Sequence, residues 1–185
     1  MAYRNGTYIA FHANGTNIPG GNSDIDYYNL MKAWAELNRE FPLVNSHEKT
    51  GQIRDTSAKE TLRRSLLERL RNSKNMVLIL GPTTKADTDW VPFEIVKAVD
   101  DYRIPIIATY TKVTAPIYMP TSFSQYWPPA LESRIRNNTA HVIHIPFNKK
   151  ALLDAIGQFG HDALPRGGGL GIYNTEAYRN FGYPG

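Results

Sequence analysis

With 185 residues and 42% hydrophobic content, the chain is long enough to bury one sizeable core and too short to favour two. A net charge of +4 is too mild to mark a nucleic-acid binder, and with no cysteine both a disulfide framework and a thiolate metal site are excluded, which suits a reducing compartment. No stretch reaches membrane-spanning length, and MAYRNGTYIAF lacks the basic segment and long apolar core of a secretory signal, so the expectation is a cytoplasmic protein without a membrane partner.

TYIAF, residues 7–11, has the β-branched and aromatic content of a short buried strand, and the loop HANGTNIPGGNSD follows it. DYYNLMKAWAELNREF then repeats apolar residues at Tyr27, Leu30, Met31, Trp34, Leu37 and Phe41, one face of a helix that Ser23, Asp24 or Asp26 is placed to cap. PLVNS reads as a second, short strand ending near Ser46. Ser57 with Glu60 forms a capping-box pattern before Ala58, Leu62, Leu66 and Leu70, which recur every four residues. The arginines of KETLRRSLLERLRNSK fall three or four positions from Glu60 and Glu68, which favours an ion-paired, solvated face over a nucleic-acid patch.

NMVLIL, residues 75–80, is apolar almost throughout, as a central parallel strand covered on both sides requires. After Gly81 and Pro82, DTDWVPFEIVKAVDDY (87–102) has helical periodicity, IPIIATY (104–110) and HVIHI (141–145) are further strands, and NKKALLDAIGQF is a last helix. The proline-rich stretch 111–138 reads as an ordered insertion with a short helix around Pro129 to Arg136. Residues 1–160 form the expected domain, and 161–185 a glycine- and aromatic-rich tail. The alternation of strand and helix implies an α/β fold, a parallel sheet with helices on both faces.

GGGLG near the tail follows a helix and lacks the lysine and spacing of a phosphate loop, whereas GTNIPGG sits between a strand and a helix and reads equally as an ordinary loop or as backbone amides placed to meet an anion. His141 and His144 point to opposite faces of one strand and cannot share a metal, so no metal site is expected. If the sheet has the flavodoxin-like order 2-1-3-4-5, the connections leaving strands 1 and 3 diverge and open a crevice at their carboxyl ends. His12 to Asn22 and the first turn after strand 3 both border it. On a helical wheel Glu94 lies off the centre of the stripe Val91, Ile95, Ala98 and Tyr102, half sheltered, with Trp90 one turn beneath it. Spacing leaves two readings open: a carboxylate for chemistry, or a helix-start glutamate stabilised by the macrodipole by about 0.3–1 kcal/mol.

YIAFH, NMVLILG and above all TDWVPFEIVKAV resemble the TIR-like proteins of bacteria, in particular the group that includes the TIR component of Thoeris anti-phage defence, over about residues 5–110. The resemblance implies a flavodoxin-like three-layer fold with about five parallel strands in the order 2-1-3-4-5. It also implies cleavage of the nicotinamide glycosidic bond of NAD, as substrate and not cofactor, to ADP-ribose or a cyclic product sensed by an effector protein, with activity through self-association. Glu94 matches the essential glutamate of that family; Phe11, His12, Asn14, Ser46 and Trp90 match its substrate-binding positions. Two rivals stand beside it: a TIR-like interaction module without catalysis, and a nucleoside deoxyribosyltransferase-like enzyme, also flavodoxin-like and also dependent on a glutamate.

Overall fold

The apolar run at 75–80 becomes the central strand of a five-stranded, all-parallel sheet in a computed structural model of the chain, which describes residues 4–13, 24–37, 43–44 and 56–184. The strands are β1 (Gly6–Ala10), β2 (Leu43–Val44), β3 (Ser73–Leu80), β4 (Ile106–Tyr110) and β5 (Val142–Pro146), in the order β2-β1-β3-β4-β5. The helices are α1 (Ile25–Leu37), α2 (Thr56–Arg71), α3 (Trp90–Val96), α4 (Pro129–Arg136), α5 (Lys149–Gln158) and α6 (Thr175–Asn180). The alternation of strands and helices called for a parallel sheet covered on both faces, and the strand order is the flavodoxin-like one that the family resemblance implies.

Side-chain alternation divides the core into two layers. Tyr8, Ala10, Met76, Leu78 and Ala108 point to one face, where α2 covers them with Leu66 and Leu70, and α3 with Val91 and Ile95. Ile9, Phe11, Val77, Ile79 and Ile107 point to the other, under α1 with Ile25, Tyr28 and Met31 and under α5 with Leu152 and Ile156. Each leucine, isoleucine, valine, methionine or phenylalanine among them, once buried, stabilises the fold by about 1.5–3 kcal/mol. Register holds the layers in step: Tyr8 lies beside Met76, Leu78 beside Ala108, and Ala108 beside His144.

Two helical expectations need correction. α2 already includes Thr56, so Ser57 stands inside its first turn and is not the cap; its carbonyl accepts the Thr61 hydroxyl at 2.9 Å. The Glu60–Arg64 pair does form, at 3.4 Å and largely exposed, which makes it worth little. The helix predicted for 87–102 is α-helical only to Val96 and then widens into a π turn over Lys97–Asp101, which buries both Ala98 and Val99.

The insertion is ordered, with a 3-10 segment over Pro120–Tyr126 before α4. It is fastened to the tail by a buried relay. Trp127 Nε1 donates to the Tyr110 hydroxyl at 2.7 Å, which lies 2.8 Å from His144 Nδ1, and His144 Nε2 lies 2.9 Å from the Gly169 carbonyl. A carbonyl only accepts, so the imidazole proton sits on Nε2, and Nδ1 accepts from Tyr110. Burial pushes His144 down to about 4, which keeps the ring neutral at pH 7. The run GGGLG serves close backbone approach: a Cβ on Gly169 would lie 2.9 Å from Ile135 Cα, and one on Gly171 2.5 Å from the Val142 carbonyl oxygen. Gly171 thereby bridges to Ile143 and covers the edge of β5.

Candidate functional site

The site begins with how α3 is started. Asp87 Oδ1 accepts the backbone N–H groups of Asp89 and Trp90, both at 2.9 Å, which satisfies two donors that a helix start leaves open. Asp89 is thereby left to pair with Lys59 and Arg63 of α2. The same two cations lie over aromatic faces of α3, Lys59 at 5.6 Å from the Trp90 ring and Arg63 at 5.3 Å from Phe93. Pro92 falls in the first turn, where its missing N–H has no intrahelical acceptor to lose.

One turn further on, Glu94 is completely buried against β1. The Tyr8 hydroxyl donates to its Oε1 at 2.5 Å. Burial raises the carboxyl to about 8; the Tyr8 hydrogen bond works against that rise, and the charge of Asp87 adds to it. The sequence placed Glu94 as half sheltered, and that is corrected: the side chain is fully buried. Desolvation outweighs a dipole contribution of about 0.3–1 kcal/mol, and the group is mainly protonated at pH 7.

A second buried carboxyl stands where the connections leaving β1 and β3 part to opposite faces of the sheet, the place at which such folds bind ligands. Asp24, immediately before α1, accepts the Thr84 hydroxyl at 2.7 Å, and Thr84 Oγ1 accepts the Gly81 N–H at 2.8 Å. Burial raises Asp24 above its ordinary value, opposed by the Thr84 hydrogen bond, His12 and Lys112. Gly81 makes the room: a Cβ there would stand 2.0 Å from Asp24 Oδ1.

With this geometry in place, comparison with known families is decisive. Residues 8–115, more than half of the chain, match the family described as Thoeris protein ThsB, TIR-like domain. The chain belongs to that TIR-like family. Its role is accordingly TIR-type signalling in anti-phage defence.

Within this TIR-like domain the sequence-derived positions are not all gathered at one point. Trp90 is half-buried on the α2 side of Glu94. Phe11 is buried on the opposite face of the sheet, stacked on Tyr28 with ring centroids 4.6 Å apart. His12 joins the Asp24 cluster, its carbonyl accepting the Asp24 N–H at 3.1 Å, and its Nδ1 is shielded from solvent with no hydrogen-bond partner among the described residues. Asn14 and Ser46 lie outside the described residues. Sequence reasoning passed over Tyr8 and Thr84 altogether, and saw in Asp24 only one of three helix caps. The single available signal was the position of Tyr8 on the inward face of the first strand. Among the described residues, no group of three or more histidine or acidic side chains stands close enough to hold a metal ion, and no helix is long and apolar enough to cross a membrane.

Proposed function

We propose that the protein cleaves the nicotinamide N-glycosidic bond of NAD, with Glu94 as the group that stabilises positive charge growing on the ribose. The single observation that carries this reading is a fully buried carboxyl on the helix after β3, hydrogen-bonded to a tyrosine of the first strand. Nicotinamide leaves as a neutral base: the C1′–N bond breaks, its electron pair stays on the pyridine nitrogen, and no general acid is needed. Water or a nucleophile within the substrate then forms the new bond to C1′, its proton passing to solvent. A carboxylate beside the ribosyl cation lowers the barrier because charge is stabilised where water is excluded.

The proton on Glu94 fits such a role. A cationic nicotinamide ribose beside it draws the carboxyl down from about 8, so substrate itself favours the reactive, ionised form. A carboxyl buried this deeply also needs an opening step before substrate can reach it, and we assign that step to self-association. The product, ADP-ribose or a cyclic derivative, then serves as the messenger for an effector protein.

The test is incubation of concentrated protein with NAD under assembly-promoting conditions, with free nicotinamide as the readout. Release is expected from the parent and a drop of about 10²-fold or more from Glu94→Gln. Equal release by both would remove Glu94 from the mechanism. No release from either would favour a non-catalytic interaction module, and base exchange on deoxynucleosides without action on NAD a deoxyribosyltransferase.

A further inference from the structure

At the opposite end of the sheet, before β4 and β5 begin, lies a cleft of about 370 Å³. Val99, Ile104 and Leu164 form its apolar walls, and Arg103, Thr139 and His141 are its polar groups. The remaining lining residue, Asp100, is already neutralised: Arg134 donates to it through Nε at 2.9 Å and again through a terminal nitrogen. Arg103 is exposed and pairs with no carboxylate among the described residues, so the cleft carries net positive charge. His141 also lines the cleft, its Nδ1 shielded from solvent and without a hydrogen-bond partner among the described residues, so it is the rest of the imidazole that faces the cleft.

Backbone conformation marks the same place. Two helices end at this cleft, each with a non-glycine residue in the left-handed region, Arg103 at φ 52° and Asn138 at φ 55°. After α4 the Thr139 N–H bonds the Arg134 carbonyl and the Asn138 N–H bonds that of Ile135, a Schellman ending in which asparagine is tolerated. After the π turn the Ile104 N–H bonds the Ala98 carbonyl, one residue wider, and the left-handed position is held by arginine where glycine would cost least. Capping explains a left-handed residue there; it does not explain an arginine.

We propose that this cleft binds a small organic acid, its carboxylate on Arg103 and His141 and its apolar body against Val99, Ile104 and Leu164. Its volume suits a compact ligand. The site is separate from Glu94, yet the helix carrying Glu94 runs through the π turn into its wall.

Benzoate is the probe, with benzamide as its uncharged counterpart, titrated at constant ionic strength while the imidazole C–H resonances of His141 are followed by NMR. Saturable shifts are expected with benzoate, at least tenfold weaker with benzamide. Arg103→Gly is the decisive variant because it removes the cation and relaxes the left-handed backbone together: it should melt higher than the parent and bind benzoate at least tenfold more weakly. An unchanged benzoate midpoint in Arg103→Gly, equal binding of benzamide, or no saturable shift at His141 would each overturn the proposal.

Discussion

Glu94 holds a proton because water cannot reach it, and that has a measurable cost in stability. Its carboxyl rises from 4.5 to about 8 on folding. Below pH 4.5 it is protonated in folded and unfolded chains alike, and its contribution is fully present. Between 4.5 and about 8 the folded chain keeps a proton that the unfolded chain releases, so the contribution is lost as pH rises through that window. Each unit of separation corresponds to roughly 1.4 kcal/mol, and the loss by pH 7 is on the order of a few kcal/mol. Glu94→Gln keeps an oxygen for Tyr8 and carries no proton to lose. It should therefore melt higher than the parent at pH 8 and converge with it toward pH 4.5. Parallel melting curves across that range would mean that the side chain is hydrated. A group that costs the fold stability at physiological pH is what a reactive residue looks like from the side of stability.

Between elements, the joint of α1 to the end of β3 depends on an absent side chain. Gly81 leaves space for the Asp24 carboxyl, and Thr84 ties both ends. Gly81→Ala forces Asp24 aside and should cost about 1–3 kcal/mol in chemical denaturation. In an Asp24→Ala background the same change should cost much less, since the clashing atoms are gone; equal costs in the two backgrounds would show that the strain lies elsewhere. This joint also shows what sequence could and could not reveal. TYIAF and NMVLIL announced their strands because burial on both faces demands unbroken apolar sequence, and WVPFEI announced a helix start carrying a sheltered acid. The contact of Asp24 with Thr84 spans 60 positions and leaves no periodic trace. The depth of Glu94 was likewise hidden, since a helical wheel ranks directions without showing that Tyr8 reaches up from the sheet to meet it. The π turn escaped for a similar reason: one extra residue per turn barely disturbs the spacing of Ala98 and Val99.

Across the molecule, the family match ends at residue 115 but the core does not. β5, α5 and the aromatic tail complete the layer that faces Val77 and Ile107, and the relay from Trp127 through Tyr110 and His144 ends on Gly169. Deleting residues 161–185 removes the acceptor of His144 Nε2, uncovers the β5 edge bridged by Gly171, and strips Tyr173, Tyr178 and Phe181 from the core. Three aromatic side chains at about 1.5–3 kcal/mol each rival the 5–15 kcal/mol by which a domain is ordinarily stable. The shortened chain should therefore lose its near-ultraviolet circular dichroism and its cooperative melt. Retention of both, within a few degrees of the full chain, would make the tail an appendage. Loss of both would make the glycine-rich segment part of the fold that holds Glu94, because the strand pairing runs from β5 through β4 and β3 to β1, where Tyr8 meets that carboxyl.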